Sequence, residues 1–584
     1  MRTGTASVPI VVALVLAAVA TVAIGVHGVR LARTTSDFLV ASRSVGPRWN
    51  AAAISGEYLS AASFLGVAGL IAKFGADALW YPVGFTAGYL ALLLFVAAPL
   101  RRSGAYTVPD FAEFRLGSVR LRRLAATTVV VICAVYLIPQ FQGAGLTLRI
   151  LLGVPGWVGA VAVGVIVIAN VTSGGMRSTT LVQAFQYWLK LTAVALPALV
   201  LLGHFLGPDR PPSPAAPPVV TRPTTVDITT DVRVGVGAAQ RVSIIGRLDG
   251  HAVDGPTVLA AGPHELGSGT RLILAAGDAV PVVAGAPADG GTWLSPGHGF
   301  GGKHPLYQVY SLMIATFLGT MGLPHVLVRF YTNADGRAAR TTALAVIGLV
   351  GVFYLFPVLL GVFARLSVPQ LLITGTSDAA VVLLPGSVLS GLPGQLLAAL
   401  VAAGAMAAFL STSSGLLVSL AGVLSTDVLR GRIRDFRAAA LVAGTIPLGL
   451  SMLVTTLDVS RTVALAFSVA AATLCPLLLL GVWWRGLTAA GAATGLIAGG
   501  VSAGTATTIS VLGGVSDELA GGWPATVLGY PAAVSTPLAF ATMIIVSKCT
   551  RGQDPELVTR IFARLHAPER LGMGADRERA LRPR

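Results

Sequence analysis

The stretch AMAAFLSTSSG, residues 405–415, decides how the whole chain is read. Four consecutive hydroxyl residues, Ser411, Thr412, Ser413 and Ser414, sit inside an apolar run from about Leu396 to Leu424. That run is long enough to cross a bilayer as a helix, which takes about 20 apolar residues. A Ser or Thr hydroxyl can bond back to the carbonyl one turn earlier and so hide inside a helix. That accounts for one or two hydroxyls, but four in a row point to all sides. A hard cation such as sodium is held by neutral oxygens, and hydroxyls facing the freed carbonyls of a broken helix form such a set.

The rest of the chain agrees with a membrane setting. Of its 584 residues, 54% are hydrophobic and only 11% charged, where a soluble domain carries about 25% charged residues. Apolar stretches recur at helical spanning length, and the short alternating segments of a β-barrel are absent from the pattern. The formal net charge of +16 is concentrated in short loops. Such loops follow the positive-inside bias and call for no nucleic acid. Cys133 and Cys475 fall in apolar spans and Cys549 in a basic tail, with neither disulfide nor metal-ligand spacing.

Spans are expected near 8–29, 50–72, 78–100, 124–151, 156–173, 179–203, 306–331, 341–365, 393–425, 437–457, 462–484, 488–512 and 525–547, about thirteen in all. The first is read as a retained helix, because it is longer than a signal-peptide core and Arg30 and Arg33 follow it. Arg43, Arg48, Arg101, Arg102, Arg115, Arg120, Arg122, Arg123, Arg177, Arg337, Arg340, Arg430, Arg432, Arg434, Arg437 and Arg485 fall in every second loop. This alternation predicts an extracytoplasmic N-terminus and a cytoplasmic C-terminus in the cell membrane. The chain therefore divides into helices one to six over 1–203, an extracytoplasmic insertion over 204–305, helices seven to thirteen over 306–548, and a basic tail over 549–584. The insertion opens with GPDRPPSPAAPPVVTRP and continues with VDITTDVRVGV and QRVSIIGRL. It reads as a Pro-rich linker followed by a small β-rich module or a partly disordered segment. In the tail, Leu557, Val558, Ile561, Phe562 and Leu565 recur at helical spacing. That helix would lie on the membrane surface or against the protein's own loops.

Polar residues inside spans are the functional candidates, since each costs free energy there. Glu57 lies in ISGEYLSAASFLG next to Gly56. It needs a partner, a cavity or a cation, unless it snorkels to the interface. Tyr136, Gln140 and Gln142 surround Pro139 in VYLIPQFQGAG. They suit a small polar solute or interhelical hydrogen bonding. In FLGTMGLPHVLVRF, Gly319, Gly322 and Pro324 weaken the helix, and His325 is a proton carrier or a structural group. Lys190 is a lone cation within the sixth span, with no role assigned by its neighbours.

SDFLVASRSVGPRWNAAAISGEYLSAASFLG, GYLALLLFVAAPLRRSGAYTVPDFAEFRL, VTSGGMRSTTLVQAFQ, GTMGLPHVLVRFYT and FSVAAATLCPLLLLGVWWRGLTAAGAATG occur in this order. In these stretches the chain resembles the sodium:solute symporter family, and in YLSAASFLG and GLPH its cation/acetate symporter branch. The resemblance implies an all-α polytopic protein of LeuT-type fold. Two inverted five-helix repeats would be spans two to six and seven to eleven. Counting back from Asp427, it implies a sodium site made by Ala408, Ser411 and Thr412 with the carbonyls of Gly56 and Leu59. Glu57 stands where the branch carries an acid, here one methylene longer than Asp.

The function so implied is symport of sodium, or of a proton, with a short monocarboxylate such as acetate, propionate or pyruvate. Tyr58, Tyr136 and Gln140, with Glu57, are the candidate coupling and substrate residues. Another solute such as proline or a sugar, or a transport-inactive sensor on the same fold, would keep the architecture. The pattern contains no nucleophile–base set, nucleotide loop or cofactor motif, so an enzyme is not expected. The partners are the solute, the ion and the bilayer; the oligomeric state is left open.

Overall fold

The computed structural model describes residues 8–29, 41, 45–207, 213, 215–228, 231–374, 377–429, 433–453, 459–511 and 522–567. Arg30, Arg33, Arg43, Arg430 and Arg432 of the loop charges, and the basic tail beyond 567, lie outside them. The principal helices are α1 (Val8–Val29), α2 (Pro47–Tyr58), α3 (Val67–Phe74), α4 (Trp80–Phe95), α5 (Val119–Leu152), α6 (Gly156–Phe205), α7 (Pro305–Gly322), α8 (Pro324–Phe330), α9 (Gly336–Ser367), α10 (Gly391–Val423), α11 (Ile433–Ser451), α12 (Val459–Ala472), α13 (Leu474–Trp483), α14 (Ala489–Val511), α15 (Ala532–Cys549) and α16 (Pro555–His566).

Among the described residues, eight helical stretches are long and apolar enough to cross a membrane, or nine if the bent α7–α8 pair is one span. Helix lies at each of the thirteen expected spans, and the smaller number arises because Ala62–Phe95 and Gly156–Phe205 each run through two of them while α11 and α14 are not among the eight. The expected spans 156–173 and 179–203 are the two arms of α6, a 50-residue stretch broken between them at Gly175. Straight, it would run about 75 Å, more than twice the hydrocarbon thickness. It turns instead at Gly175, whose φ of 55° and ψ of −148° suit glycine. The second expected span is broken: α2 ends at Tyr58, Leu59 leaves helical geometry (φ −73°, ψ 81°), and a π-helical turn at Ala62–Gly66 leads into α3. Between α7 and α8 the chain bends by 41° at Leu323, where Pro324 begins α8 without an N–H to donate.

Burial separates the helices. In the most apolar part of the Gly391–Asp427 stretch, 89% of residues are buried, against 22% in the first helix. The span with the hydroxyl run is therefore interior, and α1 carries exposed Val8, Val12, Val15, Leu16 and Val19. An outward apolar surface of this kind is what a bilayer solvates.

The insertion contains a seven-stranded antiparallel sheet: β1 (Thr224–Asp227), β2 (Val232–Val236), β3 (Gln240–Leu248), β4 (His251–Leu259), β5 (Gly262–Leu266), β6 (Arg271–Leu274) and β7 (Val282–Val283). The order is β1-β6-β3-β5-β2-β7, with β4 on β3. Alternate residues point inward, as in β6, where Leu272 and Leu274 are buried and Arg271 is exposed. Val234, Ile244, Leu259 and Leu266 join them, with Leu372 and Ile373 from the membrane portion. Three further ties bind the insertion to α3 and the turn after it. Trp293 donates its indole N–H to the Ile71 carbonyl at 2.8 Å. The Asp77 carboxylate accepts the N–H groups of Gly297, His298 and Gly299, each at 2.8 Å. Arg365 reaches the carbonyls of Ala72 and Pro287.

For α16 the structure selects one of the two sequence readings. Val558, Ile561, Phe562 and Leu565 are buried. The Arg115 guanidinium lies 5.0 Å from the Phe562 ring centre, and His566 hydrogen-bonds the Val482 carbonyl at 3.0 Å. The apolar face covers the protein's own loops.

Candidate functional site

The break after α2 is where the sequence-predicted residues meet. Glycines make the approach possible. A Cβ on Gly56 would collide with the Gln183 carbonyl of α6, and one on Gly415 would collide with the Glu57 carboxyl group. Glu57 is thus laid across α10 through a slot that only glycine leaves open.

Glu57 is 1% exposed, so it does not snorkel. Its Oε2 accepts from Arg329 Nε at 2.6 Å. Arg329, at the C-terminal end of α8, also donates to Thr180 Oγ1 at 2.6 Å and to Gln183 Oε1. Gln183 Nε2 donates in turn to the Ser411 carbonyl at 2.8 Å. One buried ion pair therefore joins α2 to α8, and its hydrogen bonds extend to α6 and α10. An uncompensated charge at this depth is costly, and the surrounding hydrogen bonds are what make a buried pair tolerable.

The five residues assigned to the cation fall together at this junction, with Lys190 among them. The Lys190 ammonium donates to the Gly56 carbonyl, to the Leu59 carbonyl at 2.6 Å and to Ser411 Oγ at 2.9 Å. The Ser411 hydroxyl donates to the Ala408 carbonyl at 3.2 Å. Thr412 does not face the same point; its hydroxyl donates to the Glu57 carbonyl at 2.6 Å. The Ser413 hydroxyl is buried with no hydrogen-bond partner among the described residues. The hydroxyl run thus divides residue by residue, with Ser411 on the lysine, Thr412 on the backbone of the broken helix and Ser413 unpaired.

A second cluster lies between the two helix breaks. Tyr58 donates to the Phe85 carbonyl at 3.0 Å and lies 3.0 Å from Thr320 Oγ1, so its hydroxyl is engaged. Its ring stands edge-on to Tyr89 at 4.5 Å. Tyr136 lies 5.4 Å from the His325 ring, and both Tyr58 and Tyr136 flank Phe467. Gln140, one turn further along α5, is fully buried with both amide atoms unpaired among the described residues. The Tyr89 hydroxyl and both His325 ring nitrogens are also unpaired. A buried polar group without a partner costs about 1–3 kcal/mol, so these atoms are under-satisfied where they stand.

Lys190, Arg329, Gln183 and Thr180 were not assigned from the sequence, although a signal was present. Thr180, Gln183 and Lys190 recur at helical spacing within an apolar span, so they share one face.

A profile of the sodium:solute symporter family matches residues 38–208 and 286–499, on either side of the sheet insertion. An uncharacterized symporter of Bacillus subtilis (strain 168), YwcA, is 30% identical over 523 residues, covering 87% of this chain and 88% of that protein. A monocarboxylic acid transporter of Corynebacterium glutamicum is 31% identical over 537 residues, covering 88% and 86%. Among solved structures, a sodium-coupled sialic acid symporter in a substrate-bound outward-open state aligns with a TM-score of 0.61. It covers 94% of this chain and 99% of that one at 13% identity, a likeness of fold. The LeuT-type architecture and its transporter class follow, and the chain belongs to the sodium:solute symporter family.

Proposed function

We propose that the protein is a secondary active symporter that takes up a short monocarboxylate, such as acetate, propionate or pyruvate, at the expense of a cation gradient. The observation that carries this reading is the unpaired polar cluster between the two helix breaks. Gln140 Nε2, the Tyr89 hydroxyl and His325 are donors available to a carboxylate. Glu57 faces two cations, Arg329 and Lys190, so the junction carries a net positive charge that favours an anionic solute. The relative named a monocarboxylic acid transporter supports the same solute class. Family membership supports sodium as the driving ion, with a proton as the alternative. Another small solute, or a sensor without transport, remains the rival on the same fold.

The proposed orientation places the basic loops in the cytoplasm. Arg101 bonds the carbonyls of Asn333 and Ala334, Arg115 those of Trp484 and Arg485, and Arg102 those of Leu565 and His566. The arginine-rich loops therefore gather with α16, and the insertion is fastened elsewhere, to Ile71 and Ala72 in α3 and to Asp77 in the turn after it. That segregation supports an extracytoplasmic insertion in a cell-membrane protein.

Uptake of labelled acetate, propionate and pyruvate into proteoliposomes tests the function, with sodium, pH and potential gradients imposed separately. Gradient-driven accumulation that excess proline or sugar does not compete away is expected. Absence of accumulation of all three acids under every gradient would sink the reading. Currents report stoichiometry, since each net positive charge moved gains about 2.3 kcal/mol per 100 mV.

A further inference from the structure

We propose that the Lys190 ammonium is the resident cation at the junction of α2, α6 and α10, so that the wild-type protein holds no sodium ion there. The proposal rests on the symporter reading and concerns the same junction. It starts from hydrogen counting. Lys190 Nζ has three oxygen neighbours: the carbonyls of Gly56 and Leu59, and Ser411 Oγ. The carbonyls can only accept. Ser411 gives its own hydrogen to the Ala408 carbonyl, so towards Lys190 it also accepts. Three acceptors call for three N–H donors, which an ammonium has. The contact set leaves no donor and no acceptor over.

These oxygens are the ones a monovalent ion would use if it bound between the broken helix and α10. Carbonyls freed by a helix break are cation ligands in transporters of this architecture. Here the charge is delivered by a side chain, and a sodium ion on the same oxygens would coincide with the nitrogen. All three hydrogen bonds of the lysine go to neutral oxygens, although the Glu57 carboxylate attracts it and keeps its Oε1 without a hydrogen-bond partner among the described residues. The nearby carboxylate, Glu57, is paired with Arg329, and α10 carries no titratable side chain. The hydroxyls of Tyr58 and Tyr187 are engaged with Phe85 and Leu349. Lys190 itself is fully buried.

The functional consequence is specific. A diffusible ion draws α2 onto α10 only while it is bound, and then leaves with the solute. A tethered cation holds the junction and crosses nothing, so this position transports no sodium.

The test is replacement of the tethered charge by a free one, in the purified full-length protein. Lys190→Ala should lose uptake of labelled acetate by about tenfold or more in choline, and its melting temperature should fall. Added sodium should restore both saturably, and a further Ser411→Ala change should remove that rescue. Any sodium-induced rise in the wild-type melting temperature should survive Ser411→Ala. A saturable sodium-induced rise in the wild-type melting temperature that Ser411→Ala abolishes would overturn the proposal. So would a Lys190→Ala protein that elutes as a native species and ignores sodium. If Lys190→Ala does not fold, Lys190→Met keeps the stem volume without the charge, and the wild-type arm still decides. The melting experiments need no transport, so a failure of the symport reading and a failure of the resident-lysine assignment are read out separately.

Discussion

The junction around Glu57 and the sheet of the insertion treat charge in opposite ways. At the junction, Glu57 and Arg329 are almost wholly removed from solvent and meet at 2.6 Å. In the sheet, Arg271 and Asp227 meet at 3.0 Å with side chains about half exposed (58% and 46%). Water screens the second pair, and pairs of that kind contribute about 0–1 kcal/mol. The first pair has only protein around it, so removing one partner strands the other. The lesson concerns what each region can be asked to do. The sheet can vary its surface charges at little cost, while the junction has each charge committed to a particular helix.

The largest expected effect comes from breaking the committed pair. Arg329→Ala should destabilise the protein by about 3–5 kcal/mol, because the buried Glu57 carboxylate would lose its ion-pair partner. Thermal unfolding in detergent would measure it, and the double change Glu57→Gln with Arg329→Gln should be milder than Arg329→Ala. An Arg329→Ala protein that melts at the wild-type temperature would place the two regions on the same footing after all.

An intermediate effect is expected where the regions join. Asp77→Ala removes the carboxylate that three consecutive N–H groups share, and a hydrogen bond to a charged group contributes about 1.5–3 kcal/mol. The segment around 297–299 should become sensitive to limited proteolysis while the helical portion keeps its melting temperature. If both fail together, the insertion is part of the cooperative unit and the contrast between regions weakens.

The smallest effect belongs to the sheet surface. The hydrogen bond to Asp249, at 2.7 Å, holds His264 above its ordinary imidazole value of about 6.5. Its stabilising contribution is then complete below about pH 6.5 and is lost as pH rises through the folded-state value. An NMR titration should show that raised midpoint, and Asp249→Asn should return it towards 6.5. A midpoint at or below 6.5 in the wild type would mean that the pair is not formed in solution.

How much of this was legible beforehand depended on the range of the interaction. The break near Gly56 and Leu59 could be read locally, because a glycine and an acid in an apolar span already signal departure from a plain helix. The break at Pro324 was legible for the same reason, as were β1 to β3, whose alternation is a property of consecutive residues. The break within α6 was legible too: the expected spans end at 173 and resume at 179, on either side of Gly175, which leaves helical geometry. The two readings of α16 were equal in sequence, because amphipathicity says that a face is buried without saying against what.

The amino-acid sequence by itself determined the bilayer as solvent, the family, and the positions where helices break. These follow from local composition and motif, which short stretches carry in full. Only the tertiary structure decided which charge meets which oxygen. Arg329 and Glu57 are 272 positions apart, and Lys190 and Ser411 are 221 apart. Separations of that size become contacts only when helices pack, and at a buried junction the matching of donors to acceptors is set by that packing. So the hydroxyl run announced a polar task, while its three-dimensional setting put a lysine where the sequence alone had called for an ion.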